Sequence, residues 1–173
     1  MLIGELEASF LRFLLRLNDA KRVLEIGCYT GYSALAMAEV LPKEGELITL
    51  DIDPVNTKIA QDFWKKSPDG KKIKLMLGPA LESIQKLKGQ FDFVFIDADK
   101  INYLAYLKAV LPRLTENGMV AVDNCLWGGE VTEKSSDEQT KALQAFNEYV
   151  KKNPNLESTL VPIRDGIFLI QKK

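Results

Sequence analysis

Between Arg22 and Ser33 the chain reads R-V-L-E-I-G-C-Y-T-G-Y-S. An apolar run ends in a glutamate and an isoleucine, two glycines follow four positions apart, and a helical spacing then begins. The pattern predicts a strand, a tight turn and a helix. Such a unit brings bare backbone against a ligand. Gly27 and Gly31 can take positive φ and carry no Cβ to hold a neighbour away, and the helix start presents unpaired N–H groups. A second apolar run, Leu47-Ile48-Thr49-Leu50, ends in Asp51. An acid about 20 positions beyond a glycine turn is what doubly wound α/β folds use to hold a ribose hydroxyl. Together these features predict a site for a nucleoside-bearing cofactor. The plainer alternative is a glycine-rich β–α turn that holds nothing.

The glycine spacing narrows the cofactor. Dinucleotide sites use G-x-G-x-x-G, whereas here Tyr29 stands two places after Gly27 and no third glycine follows in register. A phosphate-binding loop would end in Gly-Lys-Ser/Thr, which is missing. E-x-G-x-x-x-G suits a cofactor without phosphate, such as S-adenosylmethionine.

The rest of the chain alternates apolar runs with amphipathic stretches, the signature of a parallel sheet covered on both faces. Strands are expected near 22–26, 46–51, 72–77, 91–96 and 118–123. Helices are expected near 5–17, 31–41, 54–65, 79–88, 101–113 and 137–152. In the first helix the apolar side is expected to hold Phe10, Leu11, Phe13, Leu14 and Leu17. Pro54 fits a first helical turn, and Gly118 is read as following a helix end. Two last apolar runs, 156–163 and 166–171, flank Arg164-Asp165 and predict an antiparallel hairpin.

With 173 residues and no linker or repeat, one domain spanning 1–173 is expected. The 23 basic and 24 acidic residues balance without a basic block, which argues against nucleic acid and anionic membranes as partners. No apolar run approaches the roughly 20 residues that span a bilayer, and the first residues lack the marks of a secretory signal. Cys28 and Cys125 read as buried, reduced thiols of a cytoplasmic protein. The chain has no histidine, so histidine triads, histidine bases and histidine metal ligands are all excluded.

In open α/β sheets, ligands sit at the carboxyl ends of the strands. Read in order, those ends offer Glu25 and Gly27, then Asp51, Asp97, and Asp123-Asn124. Asp97, Asp123 and the Asn124 amide would form a hard, all-oxygen site suited to Mg²⁺, Mn²⁺ or Ca²⁺. Lys100 would be a cation within reach of it. The alternatives are that both aspartates merely cap the following helices or are solvated at loop starts, and that Lys100 is an ordinary surface lysine.

Taken together, L-E-I-G-C-Y-T-G-Y-S, L-D-I-D-P, F-I-D-A-D-K-x-N-Y and V-D-N-C-L-W closely resemble the metal-dependent class I O-methyltransferases of the caffeoyl-CoA O-methyltransferase-like family. Catechol O-methyltransferase is a more distant relative. The resemblance runs from about Glu5 to the C-terminus. It implies a Rossmann-like, doubly wound, seven-stranded sheet that is mostly parallel with an antiparallel last strand. It also implies that Glu25, the Gly27-Cys28 backbone, Ser33, Asp51, Ala80 and Asp97 contact S-adenosylmethionine. By the same resemblance Asp97, Asp123 and Asn124 hold the divalent cation, and Lys100, with Asp97, serves the reacting hydroxyl. The reaction so implied is direct methyl transfer to a phenolic oxygen of a catechol-like or phenylpropanoid small molecule, with Lys100 receiving the proton.

Two departures stand out. Family members usually carry further N-terminal helices that help close the site and the dimer, and here these are short or missing. Gly128 stands where plant members often have an asparagine near the substrate, which implies a more open pocket. A homodimer is expected from the apolar first helix. The rival readings are a metal-independent methyltransferase on another acceptor and an inactive S-adenosylmethionine-binding domain.

Overall fold

The computed structural model describes residues 2–173. Seven strands form one sheet: β1 (Arg22–Ile26), β2 (Glu46–Asp51), β3 (Ile73–Leu77), β4 (Phe91–Ile96), β5 (Leu114–Val122), β6 (Leu156–Val161) and β7 (Ile167–Lys172). Their order is β3-β2-β1-β4-β5-β7-β6. The first five run parallel, and β7 pairs antiparallel with both β5 and β6. The doubly wound sheet and its terminal hairpin are those expected from the sequence.

Six helices cover the sheet: α1 (Gly4–Leu17), α2 (Tyr32–Ala38), α3 (Pro54–Trp64), α4 (Ala80–Lys86), α5 (Tyr103–Val110) and α6 (Glu138–Lys152). Strand side chains alternate between two cores. Val94 and Ile96 of β4 pack with Ile84 of α4, Leu107 of α5 and Phe146 of α6. Phe93 and Phe95 pack on the other face with Leu11 and Leu15 of α1, Met37 of α2 and Ala60 of α3. Strands buried on both faces carry the near-continuous apolar runs seen in the sequence.

The chain winds outward from β1 to β3 in one direction and from β4 to β5 in the other. The reversal falls between β1 and β4, whose last residues Ile26 and Ile96 are register partners. Loops leaving the two strands part there and open a crevice at their carboxyl ends.

Four local expectations are corrected. Gly118 lies inside β5, which starts at Leu114 and pairs with Phe91 before a register shift. The preceding helix stops at Val110 because Pro112 opens a single 3₁₀ turn instead. The hairpin connection is longer than Arg164-Asp165 alone, since β6 ends at Val161 and β7 begins at Ile167. The fourth correction concerns α1, whose inward face is Glu7, Ala8, Leu11, Leu14 and Leu15. Phe13 and Leu17 point outward at 61% and 68% exposure, and Phe10 is half-buried. Ala8 lets the helix approach closely, and Glu7 is drawn inward toward Arg164 of the terminal hairpin, at 3.5 Å.

Candidate active site

The crevice at the switch point is a cavity of about 760 Å³. Gly27, at φ 97°, forms its floor beside β4, and a Cβ there would run into the carbonyl oxygen of Asp97. Gly31, at φ 78°, caps α2, and a Cβ there would stand 2.6 Å from both Ala60 and the Trp64 indole. The Trp64 Nε1 donates to the Gly31 carbonyl at 3.0 Å. These contacts explain both glycines of the motif. One lets two strand ends come together, and the other lets α3 pack against the start of α2.

Asp51, at the end of β2, faces the turn from the neighbouring strand. Its Oδ2 accepts from the backbone N–H groups of Cys28 and Tyr29, both at 2.8 Å, and its Oδ1 accepts from Asp53 N at 2.9 Å. One carboxylate thus fixes the shape of the turn. It still has lone pairs free toward the cavity it lines.

Ser33, in the first turn of α2, and Ala80, at the start of α4, also line the cavity, as do Gly27, Cys28, Asp97, Lys100, Asp123 and Asn124. The structure brings all of these expected residues to one hollow. Glu25 lies elsewhere. It is fully buried on the face under α2, where its Oε2 accepts from Thr49 Oγ1 at 2.5 Å and its Oε1 has no partner. Burial pushes its carboxyl up to about 8.

On the other side of the crevice, Asp97 and Asp123 follow the register partners Ile96 and Val122 of adjacent strands. Neither caps a helix: α5 starts from Asn102, and the Asp123 Oδ1 accepts from the N–H of Asn124, next in sequence, at 2.6 Å. Lys100 is only 7% exposed, so it is no surface lysine. Its ammonium donates to Asn124 Oδ1 at 2.7 Å, to Asp97 Oδ1 at 3.2 Å and to the Tyr103 hydroxyl. The Tyr103 and Trp127 rings wall it at 4.6 and 5.9 Å from their centroids.

A cation therefore already bridges two of the three expected metal donors. Asp123 is buried, and burial together with the Asp97 charge pushes its carboxyl upward, with Lys100 opposing. Glu7 of α1 is a further buried carboxyl, and Asp123 and Asp97 act on its charge. Burial and their charges push it upward too, while Arg164 opposes. The donors are hard oxygens, and Lys100 and Arg164 are the positive groups beside them. Among the described residues no cluster of three histidine, cysteine or acidic side chains has metal-holding geometry. Asp97, Asp123 and Asn124 offer two carboxylates and an amide, the oxygen donor types that hard divalent cations take.

Sequence reasoning missed several cavity residues. Tyr106 lines the wall and its hydroxyl donates to Asp99. Arg164 and Asp165 arrive from the β6–β7 connection, and Gly128 N donates to Asp165 Oδ1 at 2.7 Å. A Cβ on Gly128 would meet nothing within 4 Å, so this wall is open as expected. Tyr29, Asn124, Trp127 and Arg164 all hold positive φ, at 48°, 59°, 50° and 51°, and all line the cavity. Non-glycine residues adopt this region at a cost and gather at ligand sites. Cys28 and Cys125 are buried free thiols, pushed upward by burial and so poor nucleophiles. No helix among the described residues is long and apolar enough to cross a membrane.

Known proteins resemble the chain in sequence and in fold. Residues 1–173 match a family model described as O-methyltransferase. The chain is 36% identical to caffeoyl-CoA O-methyltransferase of Petroselinum crispum over 179 aligned positions, covering 96% of this chain and 74% of that protein. SAH-bound methyltransferase PaMTH1 of Podospora anserina superposes with a TM-score of 0.91 at 32% identity, over 99% of this chain and 80% of that one. The O-methyltransferase TomG of Streptomyces achromogenes, in complex with SAM, gives 0.94 at 26% identity, over 99% and 82%.

Proposed function

The chain belongs to the O-methyltransferase family, and from that premise we propose that it methylates a hydroxyl of a catechol-like or phenylpropanoid small molecule with the help of a divalent cation. The methyl group comes from the sulfonium of S-adenosylmethionine. The observation that carries the reading is the Lys100 ammonium set between Asp97 and Asn124, in the same cavity as the E-x-G-x-x-x-G turn.

The cofactor half of the cavity supports S-adenosylmethionine. Asp51 keeps acceptor capacity for ribose hydroxyls, while the Cys28 and Tyr29 amides it holds fix the turn against which the amino-acid end would rest. Ser33 and Ala80 stand at helix starts on opposite sides of the hollow.

Asp97, Asp123 and Asn124 would hold the cation. When bound, it would draw an acceptor hydroxyl toward its anionic form and fix that oxygen in place. The chain's own groups do the rest. The Lys100 Nζ is held at the strand ends by Asn124 and Tyr103, where as the neutral amine it would take the hydroxyl proton and so become the ammonium that donates to Asp97 and Asn124. Trp127 and Tyr106 give the wall apolar surface that suits an aromatic ring and excludes water. The open side at Gly128 leaves room for a substituent beyond the ring. Methyl transfer needs no enzyme nucleophile, in keeping with the two inert thiols.

We further propose a homodimer, supported by the outward Leu6, Phe13 and Leu17 of α1. The proposed function is tested by methyl transfer to catechol and caffeoyl acceptors with Asp97→Ala and Asp123→Ala variants. Loss of turnover with S-adenosylmethionine binding retained in Asp123→Ala supports it, and undiminished turnover in both variants overturns it.

A further inference from the structure

Asn124 and Trp127 hold positive φ, at 59° and 50°, and both line the cavity. Both also reach Lys100. Asn124 Oδ1 accepts from its ammonium at 2.7 Å, and the Trp127 ring centroid lies 5.9 Å from its Nζ. Non-glycine residues stay in this backbone region only where their surroundings fix them.

The bonds that fix this pair fall on Cys125 and Leu126, which lie between them. Cys125 N donates to the Gly166 carbonyl and Leu126 N to the Asp165 carbonyl, both at 2.9 Å. The Cys125 carbonyl accepts from Nδ2 of Asn147 at 2.8 Å. Of these three partners only Asn147 is a side chain, and it comes from α6, beside the buried Phe146. Cys125 is fully buried. Without Asn147 its carbonyl would have neither donor nor water, and such a group costs the fold its desolvation. The Cys125–Leu126 peptide would turn to find a donor, and the strained residues on either side would turn with it. Asn147 Oδ1 is itself buried without a hydrogen-bond partner, so the residue is poorly placed for stability alone.

We propose that Asn147 is a positioning residue: from α6 it holds the Cys125 carbonyl and so keeps Asn124 and Trp127 in the geometry that the acceptor side of the site needs. This inference rests on the proposed function above.

The test compares two variants of the full chain, well below their melting temperatures. Asn147→Leu removes the bond to Cys125. Gln144→Leu, one turn earlier on α6, removes the bonds of Gln144 Nε2 to the Val131 and Glu133 carbonyls, at 3.1 and 2.8 Å, away from the strained pair. Mn²⁺ binding is followed by the ion's electron paramagnetic resonance without acceptor, S-adenosylmethionine binding by calorimetry, and kcat with a catechol acceptor and Mg²⁺. Asn147→Leu is expected to weaken Mn²⁺ binding and lower kcat, each about 10- to 100-fold, with S-adenosylmethionine affinity within about twofold of native. Gln144→Leu is expected to lower the melting temperature and leave all three values within about twofold of native. A merely structural role of Asn147 would likewise move only the melting temperature.

Native-like Mn²⁺ affinity or native-like kcat in a folded Asn147→Leu would overturn this inference and leave the proposed function standing. Equal losses in Gln144→Leu, or an equal loss of S-adenosylmethionine affinity in Asn147→Leu, would overturn it in favour of general loosening. Should Asn147→Leu not fold, Asn147→Asp keeps the shape, turns an oxygen toward the Cys125 carbonyl and carries the same expectations. A native chain that binds no Mn²⁺ or methylates no catechol acceptor would overturn the proposed function, and this inference with it.

Discussion

The Lys100 ammonium donates to Asn124 Oδ1 at 2.7 Å, and so ties the loop after β4 to the end of β5. This one bond joins the residue expected to take a proton to a residue expected to hold a cation. Lys100→Met should leave the fold and the cofactor half of the cavity intact, because Asp51 and the glycine turn do not touch Lys100. We expect kcat to fall about 10²- to 10⁴-fold, the usual weight of a positioned proton acceptor, with S-adenosylmethionine affinity within about twofold of native. Titration calorimetry beside steady-state kinetics checks both. A kcat within about threefold of native would remove Lys100 from the chemistry.

Asp51 shapes the turn through the Cys28 and Tyr29 amides, lines the cavity and is proposed to hold the ribose. Asp51→Ala should weaken S-adenosylmethionine by about 1.5–3 kcal/mol, the scale of hydrogen bonds to a charged group. Calorimetry should show this loss without a matching change in Mn²⁺ affinity, since the cation donors sit on β4 and β5. Unchanged affinity, or tight NAD binding by the native chain, would contradict the cofactor reading.

Glu25 makes the stability of the ligand-free protein depend on pH. Its folded carboxyl is pushed up to about 8 by burial, against an ordinary value of about 4.3 in the unfolded chain. Between these values the folded state keeps a proton that the unfolded state releases, so stability falls as pH rises through the window and levels off above it. Glu25→Gln has no such proton. Urea midpoints of the variant and the native chain should run parallel at low pH and separate progressively up to about pH 8, the native chain being the less stable. A constant difference across that range would contradict the assignment.

The outward stripe of α1 holds Leu6 at 65% exposure with Phe13 and Leu17. Light scattering over a concentration series should show dimer, and Phe13→Glu with Leu17→Glu should shift the protein to monomer. A native monomer of 19.4 kDa at all concentrations would contradict the proposed dimer.

Much of the architecture was legible because it is written in local patterns. The two-face apolar runs, the glycine turn and the acids at strand ends are each contained in a few consecutive residues. Even the assembly of Asp97 with Asp123 follows once adjacent parallel strands are assumed. What stayed hidden depends on contacts between distant segments. Glu7 looks like a solvated helix charge until the β6–β7 connection delivers Arg164 beside it. That pairing turns α1 so that Leu14 and Leu15 pack inward while Phe13 faces out, a choice that two competing apolar stripes left open. Glu25 sits in a strand pattern that gives no sign of whether it lines the cavity or lies behind it. The start of β5 was obscured by Thr115-Glu116-Asn117-Gly118, whose turn-like composition is overridden by pairing across a register shift with Phe91.

Cation-assisted methyl transfer is proposed at the Asp97, Asp123 and Asn124 site. The most direct measurement is the initial rate of transfer of a labelled methyl group from S-adenosylmethionine to a catechol acceptor. It should be taken on native protein before EDTA treatment, after it, and after Mg²⁺ is restored. Turnover should disappear with EDTA and return with Mg²⁺ in the native chain but not in Asp123→Ala. Full turnover after exhaustive EDTA treatment would contradict it.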